Sequence, residues 1–427
     1  MSARLAISKR SLAFLVLCGL VAFLFRIPLR TPLQEAYNFA EVGLFGLLLL
    51  WLPWYLYRAL RTSGGLTVLE LSALLLLVLP VLGGARAHSL FGQPLWLGVV
   101  TLRDAFGVLI ALLIAHALGR GLVSWAQVER ALLVVAWCTL AHWMLLYLFV
   151  DYETYAGWGA AMSRSEFRGE RLVWDRMLTA FGALYYAARA LRQPNLRNGL
   201  KAGVFAYYIL FVTLSRSYAV AYVLCVLLLM LELSTVFRGR FLKYLVYGSF
   251  AALFVVVLPL VLLPDLREFI TVAFGSIVDA LFRGETPTEV SVASRMRQFN
   301  RALPWIQENF WLGCGKLSRQ WEVARLKILT GKIVPVDLGI IGGLFVYGLI
   351  GLLVALGPFF VAGRPWLRVR ADRDDPLAVA CKYFIVYMLL RTLTTNLAVH
   401  SPGPAIAAVL LTYHYVRVRR PAEAPAP

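Results

Sequence analysis

Apolar residues run through this chain in long stretches from Ser11 to Val416, separated by short basic or Gly/Pro-containing segments. A hydrocarbon core of ~30 Å takes about twenty predominantly apolar residues per crossing helix. The pattern predicts about twelve spans, at 11–26, 40–57, 66–83, 95–118, 131–150, 174–190, 202–215, 217–233, 242–264, 338–361, 377–396 and 403–416. Taken alternately, the connections carry Arg4, Lys9 and Arg10; Arg58 and Arg61; Arg120 and Arg130; Arg189, Arg192, Arg197 and Lys201; Arg238, Arg240 and Lys243; Arg364, Arg368, Arg370 and Arg373; and Arg417, Arg419 and Arg420. By the positive-inside rule this set faces the cytoplasm, and both termini with it.

Composition agrees with the pattern. Of 427 residues, 60% are hydrophobic and 15% charged, with a mean hydropathy of +0.73, a balance that no water-soluble domain could cover with polar surface. The expectation is an all-α polytopic membrane protein, one integral membrane domain over residues 1–427. A net charge of +19 invites thoughts of nucleic acid, but most basic residues lie in loops where topology requires them, so no nucleic-acid partner is expected. The first apolar run lacks a small-residue cleavage site and reads as a retained helix. Cys18, Cys138, Cys225 and Cys381 fall inside spans and Cys314 in an outside loop, which points away from a structural disulfide or metal site. No cofactor signature is present: there is no Walker loop, no HExxH and no Gly-rich dinucleotide fingerprint. The glycines of "LGIIGG" lie in a span, where close helix packing is their expected use.

One connection is far longer than the rest. Residues 264–336, roughly seventy, separate the ninth and tenth spans on the non-cytoplasmic side, and loops of that length usually carry function. Within it, "SRMRQFNRALPWIQENF" places Met296, Phe299, Leu303, Ile306 and Phe310 at helical spacing, with Arg297, Arg301 and Glu308 turned away. The expectation is an amphipathic helix over the bundle, part of a subdomain capping an outward cavity. A second outside loop, 151–172, mixes Arg164, Arg168 and Arg171 with Asp151, Glu153, Glu166 and Glu170; it reads either as an ordinary solvated loop or as a contributor to that cavity.

The stretch "FVTLSRSYAVAYVL" sets Arg216 between Ser215 and Ser217 inside apolar sequence. The apolar stretch 202–233 is about thirty-two residues, whereas two spans joined at the surface need ~40, so the turn is expected to be recessed. A guanidinium at membrane depth is costly unless paired, and a recessed turn holding one suits an anion; a snorkelling arginine or an internal ion pair is the other reading. Arg103 beside Asp104 in the fourth span and Arg391 in "MLLRTLTTNL" of the eleventh add cations near the same side. Arg103 and Asp104, being adjacent, point to different faces of a helix. Of five histidines only His88 and His400 are expected to reach the outside, both incidentally.

Three pieces in this order resemble the superfamily of O-antigen ligases and Wzy-type polysaccharide polymerases. They are "TLSRS" at a short outer turn; Arg295 followed by "NFWLGCG", where Gly313 and Gly315 match the family's glycines and Phe310 stands where proline is usual; and "VDLGIIGGLFVYGLIG", 336–351. The resemblance covers the chain from about the fourth span onward. The ligase branch carries a histidine where Asp337 falls, and Leu338 replaces the usual asparagine, which favours the polymerase branch.

The resemblance implies a GT-C-like architecture and glycosyl transfer at the periplasmic face of a bacterial inner membrane, for O-antigen, capsule or exopolysaccharide. The donor would be an undecaprenyl-diphosphate-linked glycan, the acceptor a second lipid-linked repeat unit, and a chain-length-regulating co-polymerase a further partner. Arg216 and Arg295 would stabilise the departing diphosphate without a metal, and Asp337 would take the acceptor proton. Arg103, Arg168, Arg171, Arg297 and Arg391 are further substrate-binding candidates. Asp337 also suits a helix N-cap. A ligase acting on lipid A-core, and a flippase of lipid-linked sugars, are the alternatives; the long loop and the absence of an internal repeat favour an enzyme over a transporter.

Overall fold

The computed structural model describes residues 9–26, 34–62, 66–150, 162–165, 169–172, 177–213, 215–234, 290–318, 321, 333–395 and 397–419. Among the described residues the regular structure is helical apart from one short hairpin. In order come α1 (Lys9–Leu24), α2 (Gln34–Thr62), α3 (Val68–Leu75), α4 (Leu79–Phe91), α5 (Leu95–Thr101), α6 (Gly107–Gly119) and α7 (Trp125–Phe149). The hairpin follows, β1 (Met162–Ser165) antiparallel to β2 (Gly169–Leu172). Then come α8 (Met177–Arg192), α9 (Leu196–Tyr207), α10 (Arg216–Ser234), α11 (Val290–Glu308), α12 (Ile340–Leu367), α13 (Pro376–Thr395), α14 (Leu397–His400) and α15 (Gly403–His414).

Every predicted span falls on a described helix or pair of helices except 242–264, which lies outside the described residues. Among the described residues, 5 helices are long and apolar enough to cross a membrane, or 6 if α5 and α6, bent by 59°, are one broken span. The break is a 3-10 turn, Arg103–Phe106, at the charged pair of the fourth predicted span. Expected as continuous, 95–118 is instead interrupted where Arg103 and Asp104 must reach different partners. The hairpin is the other departure from an all-α expectation. Its register sets Arg164 opposite Glu170, the cross-strand placement that favours opposite charges in a polar loop.

Of the helices long enough to cross a membrane, α13 is the most enclosed, buried along much of its length from Leu377 to Thr392 and packed by α8, α10 and α15. Small residues set the closest approaches around it. A Cβ on Gly403 of α15 would lie 2.9 Å from the Gly107 carbonyl carbon of α6, so only glycine permits that contact.

The glycines of "LGIIGG" serve two close approaches: Gly339 lets the neighbouring helix α13 come near, as expected, and Gly342 makes room for the turn before α12. A Cβ on Gly342 would lie 1.7 Å from the Pro335 carbonyl oxygen, and one on Gly339 2.0 Å from that of Leu393. Farther on, α12 breaks at Gly348 (φ 64, ψ −174). The break releases backbone groups that the segment "NFWLGCG" takes up: Cys314 and Gly315 amides donate to Phe345 and Val346 carbonyls at 2.7 and 2.9 Å. In return Leu349 and Ile350 amides donate to Phe310 and Trp311 carbonyls at 2.8 and 3.2 Å. Arg86 of α4 holds the same segment, donating to the Asn309 side-chain oxygen at 2.7 Å and the Gly313 carbonyl at 3.0 Å. The motif and the helix it precedes are therefore one backbone joint.

The amphipathic helix exists as α11, but it buries a different stripe. Ala302 and Ile306 are buried, and Gln298, one turn before them, accepts from the Val334 amide at 2.9 Å; Met296, Phe299, Leu303 and Phe310 remain exposed. Apolar spacing located the helix correctly, whereas the packed face was chosen by small residues and a backbone hydrogen bond.

Candidate functional site

Arg391 lies in the last turns of α13 with no accessible surface. Among the described residues no carboxylate pairs with it. Its guanidinium donates to the hydroxyl oxygens of Ser217, of Thr395 at 2.8 Å and of Thr394 at 3.3 Å. Its Cζ stacks 3.4 Å from the Tyr218 ring centroid, and its Nε makes no hydrogen bond. Hydrogen bonds to a charged group contribute roughly 1.5–3 kcal/mol each and a cation on an aromatic face up to about 2, together comparable to the several kcal/mol that burying the charge costs. The cation is tolerated, but its charge is not cancelled.

Its surroundings add to the positive potential. Ser217 and Tyr218 belong to the first turn of α10, whose opening carbonyl, that of Ser215, accepts from the Tyr218 and Ala219 amides at 3.0 Å each. The amides of Arg216 and Ser217 precede those and have no acceptor within the helix, so the positive end of α10 meets Arg391. A π-helical turn, Tyr208–Val212, delivers the chain to this point, an irregularity frequent at functional sites. Arg216 is the first residue of α10; its side chain lies outside the described residues.

Contacts lead from here to the other candidates. Two residues after Arg391, the Leu393 carbonyl is covered by Gly339, at the end of the 3-10 turn Pro335–Leu338 that holds Asp337. The Asp337 side chain is exposed. Its amide donates to the Val334 carbonyl at 3.0 Å, and the N-cap of α12 is Gly339, without a side-chain bond. The capping reading is thereby corrected: the turn leaves Asp337 two residues short of the cap, with its carboxylate unused there. Val334 in turn is bonded to Gln298 of α11, one turn beyond the exposed Arg295. The positions of Arg216, Arg295, Asp337 and Arg391 are thus linked through one chain of contacts. Arg297 is exposed on another face of α11. Arg168 and the side chain of Arg171, which is in β2, lie outside the described residues.

Arg103 belongs elsewhere. With Arg26 it clamps the fully buried Glu41, each guanidinium Nε 2.9 Å from a carboxylate oxygen, and Asn38 accepts from it at 3.2 Å. Asp104 pairs with Arg26, accepts from the Ser401 hydroxyl at 3.2 Å and lies 3.7 Å from His400. Lys316 of the long loop reaches the His400 Nε2 at 3.0 Å and the Thr101 carbonyl at 3.4 Å. Burial, reinforced by Lys316 and opposed by Asp104, holds the His400 imidazole neutral with a pKa pushed down to about 3. His400, expected to be incidental, is part of this cluster because α14 turns it inward.

Sequence reasoning missed Glu41, Arg26, Lys316 and Tyr218. Glu41 carried a legible signal, a carboxylate at the start of an apolar run, which calls for a cation from another helix. Tyr218 carried none, since aromatics are frequent in such helices. Among the described residues no three His, Cys, Asp or Glu side chains gather as a metal site. No protein-family model matches the chain, and no curated protein matches it.

Proposed function

We propose that this chain is a glycosyltransferase that polymerises undecaprenyl-diphosphate-linked oligosaccharide repeat units. It works at the periplasmic face of a bacterial inner membrane, with about twelve spans in a GT-C-like arrangement and both termini cytoplasmic. The observation that carries the reading is the buried Arg391, without an acid among the described residues, facing the positive end of α10. A diphosphate seated at the α10 amide end supplies the missing anion, with Arg391, which has no accessible surface, adding its charge from behind that end rather than by direct contact.

In the reaction the bond between the anomeric carbon and the diphosphate oxygen breaks, and the electron pair leaves with the diphosphate. Arg391, the α10 amide end and Arg216 stabilise that developing charge, with Arg295 approaching from α11. The acceptor hydroxyl attacks the anomeric carbon, and its proton passes to the exposed carboxylate of Asp337. Asp337 in place of the family's histidine supports polymerisation over ligation.

The test is the length distribution of glycans on the polyprenyl diphosphate carrier in cells with and without the chain. Single repeat units accumulating at the periplasmic face are expected on its loss. Long polymer stranded on the carrier would instead identify a ligase, and single units held at the cytoplasmic face a flippase.

A further inference from the structure

The exposed face of α11 continues into the joint with α12. Met296, Phe299 and Leu303 line one side of the helix, Phe310, Trp311 and Leu312 follow, and Trp311 is 62% exposed. Arg297 and Arg301 occupy a different side. Burying a large apolar side chain gains about 1.5–3 kcal/mol, so leaving this set in water would forgo on the order of 10 kcal/mol. A face of that size calls for an apolar partner.

Two observations identify the partner. The Trp311 carbonyl accepts from the Ile350 amide, and Ile350 and Leu353, one turn apart on α12, are themselves exposed apolar residues of a helix long enough to cross a membrane. The apolar face is therefore continuous with the lipid-facing side of α12. Ile350 lies ten residues into α12, just past its break at Gly348, which sets the joint within the span rather than at its end. Non-helical backbone is tolerated at such depth only when its polar groups are paired within the protein. Many backbone groups of residues 309–315 are paired in this way, through the four bonds to α12, the Gly313 amide donating to the Asn309 carbonyl at 2.8 Å, and Arg86 on the Gly313 carbonyl.

We infer that residues 296–312 form a re-entrant element seated in the bilayer leaflet, with Phe299, Leu303, Phe310, Trp311 and Leu312 in contact with lipid chains. The expected cap over the bundle is in this part a membrane insertion, deepening from Met296 towards Leu312. The inference does not depend on the proposed glycosyl transfer and is tested without it.

The experiment is nitroxide scanning of the full chain in lipid nanodiscs, with Cys18→Ala and Cys138→Ala removing the two thiols that are not buried. Labels go on Phe299→Cys, Leu303→Cys and Leu312→Cys, with Arg297→Cys and Arg301→Cys as references. All five positions are exposed, so the fold tolerates the labels. Expected is relaxation by oxygen exceeding that by a water-soluble nickel complex at 299, 303 and 312, increasing in that order, and the reverse at 297 and 301. Nickel access at 303 and 312 would overturn the inference by placing the face in water. Exclusion of both probes would overturn it too, by showing the face covered by protein.

Discussion

Two half-buried arginines and one fully buried one are held in opposite ways. Around Glu41, Arg26 and Arg103 share one carboxylate, Asp104 takes a second contact from Arg26, and the charges largely cancel among themselves. At an effective dielectric near 20, each pair with charge centres about 4 Å apart gains roughly 4 kcal/mol, enough to hold α1, α2 and the α5–α6 break together. Arg391, buried more completely than either, has hydroxyls, an aromatic face and a helix end, and among the described residues no acid. The charges of the first cluster are engaged with one another. The second keeps an uncancelled charge, which under the proposed function serves an anion from outside the protein.

Substitutions break the comparison from either side. The largest effect is expected at Glu41→Gln, which leaves Arg103 without a carboxylate and Arg26 with Asp104 alone and should lower stability by about 3 kcal/mol, read as a drop in the thermal midpoint of the detergent-solubilised protein. Arg391→Met should act in the opposite sense on stability, unchanged or raised because an uncancelled charge is removed, while polymer output falls about 10²–10³-fold. Loss of stability there, with output retained, would make Arg391 a structural residue. Asp337→Asn should leave the thermal midpoint unchanged, because the side chain is exposed and caps nothing, yet reduce turnover about 10²-fold in an assay with lipid-linked acceptor. Smallest is Tyr218→Leu, which removes the ring beneath Arg391 and should weaken diphosphate binding by roughly 1 kcal/mol; Tyr218→Phe, keeping the ring, should restore it.

What could be read beforehand depended on range. The spans were legible because each apolar run is a local statement about lipid, and every span on described residues coincides with helix. Arg216 and Arg391 were legible as charged positions that apolar surroundings do not explain, whereas Arg295 and Asp337 were singled out only by the resemblance. Arg103 was legible as a costly cation, but not its partner, since Glu41 sits some sixty residues away and only packing of α2 on the α5–α6 break joins them. The hydrophobic spacing of α11 located the helix, but periodicity did not say which residues pack on the protein: Ala302 and Ile306 do, while Met296, Phe299 and Leu303 are exposed.

By itself, then, the sequence determined a helical, membrane-embedded chain and the candidate cations near one side of it, because hydropathy and the cost of buried charge act residue by residue. Tertiary structure decided which arginines are cancelled and which are not, that Asp337 is free of the cap, and that "NFWLGCG" closes onto a break at Gly348. Those outcomes turn on pairings between residues distant in the chain and on backbone amides that carry no side-chain signal.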